Sequence, residues 1–380
     1  ADAEGNVSIA MNPNGGAKDA SGNNLNIQLG SGNSNASSYS QAFDTKAPSV
    51  ETISVFSTGT SNVVNTVSGT VDLKIVLSEN VTGITTADFN ISSGTINSVS
   101  GSNDTYIVAY TPSSNQDGNV TFTVSGGGYQ DSVGNAGISG NKVIAVDTKS
   151  PTGTLSLPAG TFSLNQTLNF SLAYDEQISV ASGDPFIVLQ IGDRVRLAEK
   201  VSSDNSSVIK FSYTVKNSDL DTNGIGITAT TGLSKSEHNL GGTFTADDTI
   251  TVSGASGAFT VKAGSTSAEA VATQLRTFLN SDSTFINAGF KAAGLGDGKI
   301  AIVGNNAQNN TFTLSGGASG TYSKDASKSY ASTIKDIYGN NASPTISLSG
   351  DPTGITVDGG ASGVGVDGYI EGNTIYADNN

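Results

Sequence analysis

Apolar and polar residues alternate along most of this chain. In Thr70-Val71-Asp72-Leu73-Lys74-Ile75-Val76-Leu77 the apolar side chains recur at every second position, the period of a strand with one face on a core and the other in water. Val7-Ser8-Ile9-Ala10-Met11 and the text from Thr154 to about Thr231 have the same strand-like character. Thr249-Ile250-Thr251-Val252 and Ala258-Phe259-Thr260-Val261 predict a hairpin. One segment departs from period two. Behind Ser267 as N-cap, Ala270, Val271, Leu275, Phe278 and Leu279 share one face of a 3.6-residue period, which predicts a helix from Ser267 to Leu279. Strands Lys299–Val303 and Thr311–Leu314 follow it. The pattern as a whole predicts an all-β chain carrying a small α+β (ββαββ) module at about residues 240–325.

A repeated motif punctuates these strands. Asp-x-x-Gly-Asn begins at Asp19, Asp131 and Asp336, and each copy leads through a short strand to a hydrophobic residue and Asp: Phe43-Asp44, Val146-Asp147 and Val357-Asp358. Asp44 and Asp147 each continue to a proline four residues on, and Pro48 and Pro151 lie 103 residues apart, the length of one immunoglobulin-like sandwich. Asp19 to Asp131 spans 112 residues but Asp131 to Asp336 spans 205, about 93 more, so the last copy holds an insertion, which composition places at about 240–325. The implied domains are the C-terminal part of a sandwich at 1–47, a sandwich at 48–150, a sandwich with the inserted module at 151–358, and the start of a further β module or a donated strand at 359–380. In the last of these, Val366–Ala377 reads as strand–turn–strand. A half-sandwich exposes an apolar face and unpaired edges. The expectation is therefore that 1–47 is completed by an upstream part of a longer precursor or by another subunit, head to tail.

Composition narrows the function classes. Gly is abundant (47 residues), and the 36% hydrophobic content is low yet adequate for thin sandwich cores. A net charge of −15 repels nucleic acid and anionic lipid surfaces and makes divalent cations the natural counter-charge. The absence of Cys excludes disulfides, thiolate zinc sites and a Cys nucleophile. The one histidine, His238, is expected in a surface loop, Lys235–Asn239, so a histidine triad or a multi-histidine metal site has no support. No apolar run reaches the length of a membrane span. Asp175-Glu176 and Asp247-Asp248 are neighbours that point to opposite faces of a strand, not a hydrolytic dyad. Gly126-Gly127-Gly128 precedes neither a helix nor a Lys, so it is no phosphate loop. The chain reads as a non-enzyme.

Leu77-Ser78-Glu79-Asn80-Val81, Thr86-Ala87-Asp88-Phe89, the Asp-x-x-Gly-Asn motifs and the Asp-Thr-x-x-Pro junctions together resemble the tandem bacterial immunoglobulin-like repeats of large secreted adhesins and surface-layer-type proteins. Tyr174-Asp175-Glu176-Gln177-Ile178 and Phe211-Ser212-Tyr213-Thr214-Val215 are similar to another variant of that family, and Asp367-Gly368-Tyr369-Ile370 to the opening of a further adhesin-type module. The resemblance covers most of 1–240 and 326–380; the insertion lies outside it. It implies tandem sandwiches stiffened by calcium at their junctions, with Asp19, Asp44, Asp131, Asp147 and Asp336 as ligands and Glu79 and Glu176 nearby. The third junction departs from the pattern, since no Thr-x-x-Pro follows Asp358, and the first copy has no counterpart of Glu79.

Calcium takes six to eight oxygen ligands, and these motifs offer carboxylates, Asn amides and carbonyls at a turn that Gly permits. Without an ion the same motif is an Asx-turn between two strands. Asp219-Leu220-Asp221-Thr222-Asn223-Gly224 matches the first half of an EF-hand loop, but Thr230 stands where the bidentate Glu is required, so a full EF-hand is excluded. Asp219, Asp221 and Asn223 then form either a partial calcium loop or a plain turn. The expected protein is an extracellular structural or adhesive subunit of a rod, filament or surface lattice, serving attachment or a cell-surface coat. Its expected partners are copies of itself or neighbouring repeats of one precursor. The alternative is an adhesin whose 240–325 insertion reads a surface carbohydrate or protein ligand.

Overall fold

Every second side chain of Val71–Leu77 is buried, and Thr105–Thr111 pairs beside it with the same alternation. In the computed structural model, which describes residues 4–10, 20–22, 38–56, 63–64, 69–202, 206–228, 232–254, 257–305, 312–316 and 319–360, these two strands are the centre of an antiparallel sheet. Its order is Val50–Val55, Val71–Leu77, Thr105–Thr111, Thr95–Ser102. A second sheet is ordered Val63–Val64, Gly140–Asp147, Asp117–Val124, Phe89–Ile91. Leu73, Ile75, Val108 and Tyr110 of the first sheet share one core with Val120, Phe122 and Val124 of the second, which makes the pair a sandwich. The rings of Tyr110 and Phe122 meet edge to face at 4.7 Å, and the Tyr110 hydroxyl donates to the Ser93 carbonyl at 3.0 Å, so the polar end of a buried ring is satisfied.

This sandwich falls in one of two compact units, Ala1–Lys149, the other being Ser150–Asn380. Within the first, Glu4–Ala10 pairs antiparallel with Ser38–Asp44, Glu4 opposite Asp44. The Asp19 motif and the expected strands of 366–377 lie outside the described residues.

The second unit is organised by one long strand, Thr167–Ser182. A register shift between Ala173 and Ile178 bends it: its first part pairs with Ser206–Thr214 and its second with Thr333–Asp336. The sheet order is Gly226–Thr228, Phe186–Ile191, Arg194–Ser202, Ser206–Thr214, Thr167–Ser182, Gly153–Ser156, Ile346–Ser349. A small sheet of Gly160–Ser163, Ile355–Asp358 and Leu220–Asp221 contributes Ile355 and Val357 to the same core as Leu168, Phe170 and Phe211.

Leaving and returning strands tie the insertion at its neck, where the Ser332 amide and hydroxyl both donate to the Leu233 carbonyl. Between them, Thr249–Gly254 and Gly257–Lys262 form the hairpin, joined by Thr313–Gly316. Ser267 caps Ala268–Ser281 by accepting from the Ala270 amide, and Val271, Leu275 and Leu279 bury the helix against Phe244, Phe285 and Ile302. The module is larger than the ββαββ expectation. Ser234–Gly242, Lys291–Gly296 and Gly320–Ala331 are added, and a four-stranded sheet runs Lys291–Gly296, Lys299–Gly304, Ser234–Gly242, Gly320–Ala331. Asp297-Gly298, both at positive φ, turn the hairpin between the first two.

The expected surface loop at Lys235–Asn239 is instead an interior strand of that sheet, and His238 is buried. Its Nε2 lies 2.8 Å from the Ser236 hydroxyl. Burial, reinforced by the charge of Lys324, pushes the imidazole down to about 4. Among the described residues no helix is long and apolar enough to cross a membrane.

Candidate metal centre

The Asp-x-x-Gly-Asn motif folds into a turn wrapped around its own carboxylate. Asp131 Oδ1 accepts from the amides of Val133, Gly134 and Asn135 at 2.9, 2.7 and 2.9 Å, while Oδ2 accepts from Asn135 Nδ2 at 2.7 Å. Gly134, at φ +100°, occupies the left-handed conformation that brings the Asn back over the Asp. Burial alone raises the Asp131 carboxyl; the Asn135 side chain and the three amides outweigh it and hold the group below its ordinary value. Asn135 Nδ2 also donates to the Asp44 carbonyl at 3.1 Å, so this one side chain ties the turn to the end of Ser38–Asp44.

That tie gathers three acids. Asp44, Glu79 and Asp131 each present a carboxylate oxygen, and these oxygens all lie within 4.8 Å of one another. Unit charges at about 4 Å repel by roughly 1 kcal/mol in water and about 4 kcal/mol near a protein surface, so the cluster carries a standing electrostatic cost. The donor set is entirely oxygen, with no imidazole or thiolate in it. It suits a hard cation such as calcium and offers nothing to a thiophilic metal.

The segment that carries this cluster matches a known family. The family described as bacterial Ig-like domain matches residues 44–146. Residues 44–146 are a bacterial Ig-like domain. Among solved structures, the S-layer protein rSbsC aligns at 12% identity over 78% of this chain and 58% of its own, with a TM-score of 0.20. FdeC, an Escherichia coli adhesin, aligns at 8% identity over 80% of this chain and 96% of its own, also with a TM-score of 0.20. This chain thus spans less than two thirds of the S-layer structure. No curated protein matches it.

The Ig-like domain begins on one candidate ligand, Asp44, and stops one residue short of another, Asp147. Both end strands, and each accepts through Oδ1 from the amide two residues on: Lys46 at 2.9 Å, Lys149 at 3.1 Å. Asp336 repeats the Asp131 turn. Its Oδ1 accepts from the Tyr338 and Asn340 amides at 2.8 Å each, its Oδ2 from Asn340 Nδ2 at 2.7 Å, and Gly339 sits at φ +101°. The register shift in Thr167–Ser182 carries Glu176 to Asp336, with carboxylate oxygens within 4.8 Å.

Asp219, Asp221 and Asn223, expected to form either a partial calcium loop or a plain turn, belong to neither acidic group. Asp219 is fully buried in an ion pair with Arg196, whose Nη2 is 2.7 Å away, and it also accepts from the Tyr213 hydroxyl and the Lys216 amide. Asp221 accepts from the Gly192 amide at 2.7 Å and the Asn223 amide at 3.2 Å, a loop-to-loop tie. The sequence presents the motif's Asn as a ligand amide or as part of an Asx-turn, and gives no sign that Asn135 spans two segments. The partner carbonyl is 91 residues away, and no local pattern marks it.

Proposed function

We propose that this chain is an extracellular structural or adhesive protein of a bacterial surface, a rod, filament or lattice subunit of Ig-like sandwiches that calcium stiffens at their junctions. The observation that carries this reading is the trio Asp44, Glu79 and Asp131, from three segments, held by Asn135 where the N-terminal hairpin meets the Ig-like domain. A cation there converts mutual repulsion into a clamp. By repetition, Glu176 and Asp336 are the counterparts of Glu79 and Asp131 in the second unit, and Asp147 is the sequence counterpart of Asp44. The role is mechanical and no catalytic site is assigned. The chain joins copies of itself or neighbouring repeats of one precursor.

Thermal unfolding of the full chain in excess calcium and in excess chelator tests the metal. At a hundredfold excess over Kd the ion adds about 2.7 kcal/mol, which for a unit of this size raises Tm by roughly 5–10 °C. Glu79→Gln removes one charge from the trio. It is expected to raise Tm in chelator, by relieving repulsion, and to shrink the gain on adding calcium. Equal melting temperatures with and without calcium would sink the stiffening role.

A further inference from the structure

Positive charge is scarce in this chain, 18 Lys and Arg against 33 Asp and Glu, and five of the lysines line one cavity. Within the second unit a cavity of about 530 Å³ opens between the sandwich strands Arg194–Ser202 and Ser206–Thr214 and the inserted strands Ser234–Gly242 and Lys291–Gly296. Five lysines line it: Lys200, Lys216, Lys235, Lys299 and Lys328. Two are neutralised, Lys235 by Glu199 and Glu237 at 3.0 and 2.9 Å and Lys200 by Asp184 at 2.8 Å. Lys216, Lys299 and Lys328 are exposed and have no carboxylate within 4.0 Å among the described residues. Lys216 donates to the Leu295 carbonyl, which points its ammonium across the seam between sandwich and insertion.

Behind the wall lies more positive charge. Gly294, which lines the cavity, packs against two guanidiniums so closely that a Cβ there would sit 1.9 Å from Arg276 Nη1 and 2.6 Å from Arg196 Nη1. Arg196 is paired with Asp219. Arg276, only 3% exposed, forms no ion pair within 4.0 Å among the described residues; the carboxylates of Glu269 and Asp193 act on it from further away. A buried charge without a close counter-ion is costly, and an anion bound nearby offsets part of that cost.

We infer that this cavity binds an acidic saccharide, with the sugar's carboxylate held among Lys216, Lys299 and Lys328. The other lining groups favour a sugar over a phosphate. Glu199 and Glu237 accept from sugar hydroxyls, which a phosphate ion offers far less of; Ser212 and Thr214 supply hydroxyls; Leu197 and Leu295 offer apolar surface to sugar C–H faces. This rests on the insertion being a recognition element, and it does not depend on calcium at the junctions.

Titration calorimetry of the full chain at low ionic strength, in chelator, is the test, with trigalacturonic acid, neutral maltotriose and inorganic sulfate as probes. Trigalacturonic acid is expected to bind and maltotriose not to. Lys328→Ala, an exposed lysine with no structural bond across the seam, should weaken binding several-fold, the scale of a lost charge-assisted contact, while its melting curve matches the parent; Lys216→Ala should weaken it too, with some loss of stability because it also gives up the bond to Leu295. Lys299→Gln should weaken it independently. The inference is overturned by silence with trigalacturonic acid, by unchanged affinity in these variants, or by sulfate binding as tightly as the trisaccharide. Because the readings use different measurements, a failed titration leaves the calcium-dependent melting untouched, and the reverse also holds.

Discussion

Asn135 and Asn340 do the same job at two depths. Each closes its turn by donating to the Oδ2 of the Asp four residues before it, at 2.7 Å in both cases. Asn340 is fully buried with its Asp336 partner, so Asn340→Ala strips a buried carboxylate of a donor that no water replaces. The expected cost is about 1–3 kcal/mol, measured as a lower urea midpoint for the second unit. Asn135 is half-buried and its loss is read better through the acid it holds. The Asp131 carboxyl is depressed in the folded state, so its contribution to stability is present above the ordinary value of 3.8 and is lost as the pH falls through the lower folded value. In Asn135→Ala the Asp131 carbon resonance, followed by NMR titration, should move its midpoint upward. A midpoint that stays put would mean that the three backbone amides alone set it.

At the scale of elements, what was legible depended on whether the information was local. The Thr249–Gly254 and Gly257–Lys262 hairpin and the helix behind Ser267 are written in short-range periodicity and a cap, and both form where the pattern indicates. Ser234–Gly242 shows the opposite case. Ser-Lys-Ser-Glu-His-Asn has no apolar alternation, and it is a strand because Lys299–Gly304 and Gly320–Ala331 flank it, their paired residues 60 or more positions further on. Its polar side chains are tolerated because they find partners: Lys235 its two glutamates, His238 the Ser236 hydroxyl. Lys291–Gly296 was equally hidden, since Ala-Ala-Gly reads as loop while here the missing side chain at Gly294 makes room for two arginines. The buried strand has a consequence for pH. His238 titrates near 4 when folded against an ordinary 6.5, so the unfolded chain takes up the proton first and stability drains away as the pH drops from 6.5 toward 4. The full effect is about 3 kcal/mol. His238→Gln keeps a polar partner for Ser236 and cannot titrate, so the difference in stability between pH 7 and pH 4.5 should shrink relative to the parent; an identical difference in both proteins would show that His238 is protonated without penalty.

At the scale of the whole molecule, each unit has its own core. The cluster around Leu73, Val108, Tyr110 and Phe122 runs from Ile53 to Val146, and that around Leu168, Phe170 and Phe211 from Leu155 to Val357. The insertion adds a third, between Leu240 and Phe312, with a small cluster of Phe186, Val188, Leu197 and Ala301 joining it to the sandwich. The units divide after Lys149, so residues 1–149 and 150–380 produced separately should each unfold in one cooperative transition. The insertion behaves differently. It shares Phe186 and Val188 of the sandwich with Ala301 and Val303 of its own sheet, so 233–332 alone would expose one side of that shared layer. Replacing 234–331 by a short Gly-rich linker should leave the first unit's transition in place and lower the second's. If the second unit melted unchanged without the insertion, the shared layer would be contact without energetic consequence, and a cavity at that seam would lose the rigid walls that ligand recognition needs.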